Sequence, residues 1–224
     1  MRKAKTQPRD SQAKLQRILR HSAQVFSEKG YEGASIRDIS RSSGVSLAGL
    51  YYYVRSKQEL LYLIQIYSFR TILERLETKL AGVEDPTEKL RVLVHNHLDF
   101  FLSNPVEMKV LTHEDDALDG RFRKEVLDIK RRYYAFALDV FEEMRKSGLA
   151  ARRLNPRVAV LALFGMMNWV HTWHRPDSDP QADSLAESMA GMFLHGVMNG
   201  KREGISKSAP ARLGLIRAKA RATG

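Results

Sequence analysis

Residues 35–57, SIRDISRSSGVSLAGLYYYVRSK, contain three helix starts within 22 residues and constrain the fold of this chain more than any other stretch. Ser35 followed three residues later by Asp38 is a helix-start pair. The hydroxyl satisfies an unpaired N–H, and the acid suits the positive end of the helix. Ile36 and Ile39 give that helix an apolar side, and Gly44 supplies the backbone freedom to reverse direction. Ser46 caps the next helix, whose Leu50 and Val54 fall four apart on a buried side. Ser56 with Glu59 forms a further capping box that opens a long third helix. Two short helices at about 36–43 and 47–53, the second displaying Tyr51, Tyr52 and Tyr53, predict a helix-turn-helix that fits a major groove. Short helix pairs around a glycine also occur as plain packing units, so spacing alone leaves that reading open.

The residue identities carry a resemblance. Gly44-Val45-Ser46, Leu50-Tyr51-Tyr52-Tyr53-Val54 and Ser56-Lys57-Gln58-Glu59-Leu60-Leu61 resemble the DNA-binding signature of the TetR (tetracycline-repressor) family. Ile18, Ala23, Phe26 and Gly30-Tyr31 stand at that family's positions in the preceding helix. The specific resemblance covers residues 12–62; beyond them it is one of length and all-helical layout. It implies an all-α fold of about nine helices: an N-terminal three-helix DNA-binding domain (1–55), a helical ligand-binding and dimerisation domain (56–199) and a tail (200–224). It also implies DNA contact by Arg37, Ser46, Leu47, Ala48, Gly49, Tyr51, Tyr52, Tyr53 and Lys57. Arg37 and the first turn of helix 47–53 are the expected base readers. The tyrosine hydroxyls and the Lys57 ammonium are expected on phosphates, which position without specifying. Leu47-Ala48-Gly49 offers no bidentate side chain, so base reading leans on methyl contact, Arg37 and DNA shape.

Charge follows the same division. The net charge is +11, with 12 Lys and Arg against 4 Asp and Glu in residues 1–57 and 7 against 1 in 200–224. The 142 residues between carry a net −3, the pattern of a polyanion-binding end on a near-neutral body. With no cysteine, disulfides, thiolate metal sites and cysteine nucleophiles are excluded. The N-terminus lacks the apolar core of a signal peptide, and the longest apolar run, 158–167, is about half of a bilayer span. The expectation is a cytoplasmic protein that does not enter membranes.

Apolar periodicity places further helices at 11–29 (ended by Gly30), 56–81, 87–103, 106–112, 120–146, 157–173 and 182–199. Residues 1–10 and 200–224 read as disordered. The segment 157–173 is apolar on nearly every side, so one side is expected on the core and another on a second subunit. Gly191 and Gly196 permit close approach on the last helix.

Catalytic chemistry finds little support. His95 and His97 are two apart on a helix and point away from each other. His171 and His174 lack a carboxylate at metal-ligand spacing. The acidic run from His113 to Asp116 is a solvated loop as readily as a cation site. No phosphate-cradling glycine loop or nucleophile elbow occurs, and no cofactor or metal is implied. A basic protein coating nucleic acid without sequence preference is the alternative; it leaves the capped helix pair without purpose. On the ligand side, Asn168-Trp169, Trp173 and Arg175-Pro176, with Arg131-Arg132-Tyr133-Tyr134 upstream, resemble TetR members that sense acyl-coenzyme A thioesters. The resemblance implies a repressor released from an inverted-repeat operator, bound as a homodimer, by such an effector. A tunnel lined by Phe100, Phe101, Phe136, Leu163, Met166 and Met167 would take the acyl tail, Arg131, Arg132 and Arg175 the phosphates, and Trp173 an aromatic ring, with Trp169 also among the ligand-binding residues. Two tryptophans four apart are a packed core more often than a ligand box.

Overall fold

In a computed structural model of the chain, residues 9–113 and 117–197 are described. The basic arm, the acidic run 114–116 and the tail beyond 197 lie outside the described residues. Those described form ten helical segments and no strand: α1 (Arg9–Gly33), α2 (Ile36–Ser43), α3 (Leu47–Tyr53), α4 (Lys57–Leu80), α5 (Pro86–Ser103), α6 (Pro105–His113), α7 (Gly120–Lys146), α8 (Pro156–Asn168), α9 (Val170–Trp173) and α10 (Ala182–Val197). No helix among them is long and apolar enough to cross a membrane.

Local chemistry sets the boundaries. Gly30 interrupts α1 with φ 71° and ψ 161°, outside the helical region. Gly44 ends α2 in the left-handed region at φ 66°, where a glycine has no Cβ penalty. Asp85 accepts from the Glu88 N–H and Asn155 from the Val158 N–H, each just before a proline at the first helical position. The expected helix 157–173 is two: Trp169 caps α8, and the chain restarts at Val170. This break makes ten segments where periodicity suggested nine.

Two apolar clusters organise these helices. One holds Ile18, Phe26, Ile39, Leu50 and Val54 with Leu60, Leu61 and Ile64 of α4. It continues into Val110 of α6, Leu118 just before α7, and Val126 within α7, so packing does not pause at residue 55. The other gathers the rest of α4 with α5, α7, α8 and α10 around Leu93, Phe141, Leu163 and Met189. α6 lies between the two, packed on α1 and on α4. On the outer surface, Val158, Leu161, Trp169 and Met192 of α8 and α10 and the turn after α8 are exposed. Gly165, Gly191 and Gly196 have nothing within 4 Å of where a Cβ would sit. The close approach expected at Gly191 and Gly196 is therefore not made by any other element among the described residues.

Candidate nucleic-acid interface and ligand cavity

The helix pair α2–α3 is fixed by short polar contacts. Ser35 and Asp38 make the reciprocal box: the Asp38 N–H donates to Ser35 Oγ at 3.2 Å and the Ser35 N–H to Asp38 Oδ2 at 3.0 Å. Lys29 Nζ at 2.8 Å and Arg41 Nη2 at 2.6 Å both meet Asp38 Oδ1. Hydrogen bonding from Lys29 and Ser35 holds the Asp38 carboxyl well below its usual range. At the start of α3 the Gly49 N–H donates to Ser46 Oγ at 3.2 Å. A Cβ on Gly49 would lie 2.9 Å from Val45 Cγ1 and 3.2 Å from Ser46 Oγ, so this glycine keeps the cap and the Val45 packing compatible. The box expected at Ser56 is redirected. Ser56 Oγ accepts from the Glu59 N–H at 3.0 Å, but the Glu59 carboxylate accepts from the Arg55 N–H rather than from that of Ser56.

Leu50 is buried against the first cluster, which turns the other side of α3 outward. Arg37, Ser46, Leu47, Ala48, Tyr51 and Tyr52 are exposed together, Tyr52 at 80%. Arg37 makes no ion pair among the described residues. Gly49 is half-buried, and Tyr53 is half-buried against the cluster with its ring 5.1 Å from that of Tyr52. Lys57, expected on a phosphate, holds two backbone carbonyls of its own chain. Its Nζ donates to Tyr31 O at 2.8 Å and Ala34 O at 3.2 Å and sits 4.2 Å from the Tyr31 ring centre. The ammonium is thus the cap of the chain leaving α1, and it ties α4 to that turn.

A cavity of about 670 Å³ opens in the C-terminal helices, lined by Ser68, Phe69 and Ile72 of α4, His97, Phe100 and Phe101 of α5, and Met108, Leu111 and Thr112 of α6. Lys130, Tyr133 and Tyr134 of α7 and Leu161, Phe164, Gly165, Asn168, Trp169, His171 and Thr172 close the remaining sides. This size suits a drug-sized organic molecule. The exposure of Leu161 (54%) and Trp169 (65%) puts them at its mouth. Inside, His97 is buried and bridges two helices: Nδ1 lies 3.2 Å from the Tyr133 hydroxyl and Nε2 3.2 Å from Asn168 Oδ1. With a carbonyl oxygen facing Nε2, the ring carries its proton there and accepts the Tyr133 O–H at Nδ1. Burial pushes the His97 pKa down to about 3 and that of the Tyr133 hydroxyl upward, so at neutral pH both are uncharged.

Of the expected ligand residues, Phe100, Phe101 and Trp169 line this cavity. Leu163 and Met167 are buried in the core behind the wall, and Phe136 and Met166 are half-buried against it. Arg131 and Arg132 face solvent, bonded to Asp128 (3.1 Å) and Glu77 (3.5 Å). Arg175 is also exposed, and its N–H donates to Asp179 Oδ2. Trp173, 42% exposed and edge-on to His174, is neither core nor cavity wall. The cation in the wall is Lys130, with Nζ 5.2 Å from the Phe69 ring centre. The residues that sequence reasoning missed, His97, Tyr133, Tyr134 and Asn168, stood within or beside the runs it singled out. A phase test would have found two of them. Ile129, Tyr133, Ala137, Val140 and Met144 share the buried side of α7, and Leu90, Leu93, Val94, His97 and Phe101 that of α5.

No cluster of three or more metal-ligating side chains occurs among the described residues. Comparison with known proteins agrees with the geometry. Residues 18–62 match the model of bacterial regulatory proteins of the tetR family, and residues 83–197 that of the tetracyclin repressor-like C-terminal domain. The fatty acid metabolism regulator protein of Bacillus subtilis is 22% identical over 83% of this chain and 96% of its own length. AibR, solved with isovaleryl coenzyme A and operator DNA, superposes with a TM-score of 0.72 at 27% identity, over 80% of this chain and 97% of AibR. PfmR, a TetR family regulator of Thermus thermophilus, gives 0.73 at 28% identity, over 80% and 97%. With both of its domains matched in sequence order, the chain belongs to the TetR family of bacterial regulatory proteins and is a ligand-responsive, DNA-binding transcriptional regulator.

Proposed function

We propose that this regulator is a homodimeric repressor, acting by binding alone in the cytoplasm, and that an acyl-coenzyme A thioester in the α4–α8 cavity releases it from DNA. The observation that carries this reading is the shared wall. Met108 and Leu111 of α6 line the cavity, while Val106 and Val110 of the same helix pack on the reading-head cluster. α4 does the same, with Phe69 and Ile72 on the cavity and Leu60, Leu61 and Ile64 on the head. A ligand that moves either helix moves α3, and favouring the non-binding spacing by a few kcal/mol suffices to empty an operator. The apolar lining suits an acyl group, Lys130 is placed for its polar end, and exposed Trp169 for a ring at the mouth. The bound cofactor of AibR and the name of the Bacillus subtilis relative favour a thioester. The exposed apolar residues of α8 and α10 are the surface a second copy would cover, and a two-fold dimer reads an inverted repeat. Arg37, Leu47, Ala48, Tyr51 and Tyr52 then face the groove.

Native mass spectrometry of the protein as purified, with and without an operator selected from random DNA, tests both halves. The reading expects two chains per duplex and a retained ligand lost on DNA binding. A monomer bound at full affinity to a non-palindromic site would overturn it.

A further inference from the structure

A second, smaller cleft lies where the reading head meets the body, with a volume of about 220 Å³. That is below the range of drug-sized sites and suits a smaller molecule. It is bordered by α1 of the head, by α4, by the end of α5 and by Glu107 of α6. Leu19, Ile64 and Phe100, each nearly covered, give it an apolar floor. Arg20 is exposed and Glu107 half-buried, so a molecule in the cleft can reach both charges. Neither of them enters an ion pair among the described residues, with each other or with any other group. Arg75, also on the cleft, is held loosely: its Nη1 lies 3.8 Å from Asp99 Oδ2, beyond hydrogen-bond length. A cation on the head and an anion on the body thus border one small space without meeting across it. A plain anion there would gain from the two guanidinium groups and be repelled by Glu107, and a plain cation would meet the reverse. A molecule carrying both signs a few bonds apart satisfies all three groups.

We propose that this cleft binds a small apolar α-amino acid, its carboxylate on Arg20 and Arg75, its ammonium on Glu107 and its side chain over the floor of Leu19, Ile64 and Phe100. The site is separate from the acyl cavity, with Ser68 and Phe100 as a common wall, and it does not depend on the identity of the effector there. Arg20 belongs to α1 and Glu107 to α6, so the occupant ties the head to a helix that also lines the larger cavity.

The test is calorimetry on the full chain with L-alanine, L-valine and L-leucine. The N-acetyl derivative and the amide of the tightest binder follow, each lacking one of the two charges. One amino acid should bind saturably at one per chain, and each derivative about tenfold more weakly or worse. Arg20→Gln and Glu107→Gln alter only surface groups, and circular dichroism checks that they fold. Each should weaken the amino acid about tenfold. In Glu107→Gln the N-acetyl derivative should bind as well as the parent, and in Arg20→Gln the penalty for the amide should shrink. No saturable binding by any of the three amino acids, a derivative that binds wild type as tightly as its parent, or binding unchanged in either variant overturns the inference.

Discussion

Replacing Lys57 separates a structural cation from a DNA-contacting one. Its ammonium makes two charge-assisted hydrogen bonds to the Tyr31 and Ala34 carbonyls and sits over the Tyr31 ring. Such bonds contribute about 1.5–3 kcal/mol each and the ring contact roughly 0.5–1 kcal/mol, but half-burial lets water replace part of both. A net loss of about 2 kcal/mol follows for Lys57→Met, which keeps the alkyl stem packed. In a chain of this size that corresponds to a Tm fall of roughly 4–8 °C. Calorimetric melts of wild type and variant give the first readout, and operator affinity across a salt series the second. If the ammonium is the cap, Tm falls and the slope of log affinity against log salt is unchanged. An unchanged Tm with a slope reduced by about one would mean that Lys57 neutralises a phosphate, and the reasoning would fail.

Three further outcomes follow from the same contacts. His97 has a folded pKa of about 3 against an ordinary 6.5, so between those values the unfolded chain binds more protons. Its contribution to stability is full above pH 6.5 and is lost on acidification at about 1.4 kcal/mol per pH unit; urea melts of His97→Asn against wild type should show that difference disappear. Asp38 is depressed from 3.8, so its contribution is present above that pH and is lost as pH falls through it. Asp38→Asn should therefore lose less stability than wild type between pH 5 and 2.5, and parallel curves would contradict the pairing with Lys29 and Ser35. Arg37→Ala should keep its circular dichroism spectrum and blur discrimination among operator variants; wild-type selectivity in a binding-site selection would remove Arg37 from base reading.

The reading head was legible because short polar signals control it. Ser35, Asp38, Gly44, Ser46 and Ser56 each act within four residues, and local hydrogen bonds fix their outcome whatever the rest of the chain does. The contacts of Lys57 were not legible, for the opposite reason. Its partners are carbonyls 23 and 26 residues away, which no local pattern reveals. The cavity was half legible. Phe100, Phe101 and Trp169 stand on the cavity, but Arg131, Arg132 and Arg175 drew attention as cations although helical phase puts the first two on the solvent side of α7. α6 was visible only as a short helix after Asn104-Pro105. Its role as a wall common to cavity and head depends on α1 and α4 packing around it, and that is a tertiary fact.

Coupling between that cavity and the reading head is tested most directly by titrating a preformed complex of the protein and its selected operator with a coenzyme A thioester, coenzyme A and the matching free acid, followed by fluorescence anisotropy of the DNA. The thioester series should release the DNA at one ligand per chain, while coenzyme A and the free acid leave it bound. Release by the free acid alone, or an operator complex that persists with every thioester occupying the cavity, would contradict the account.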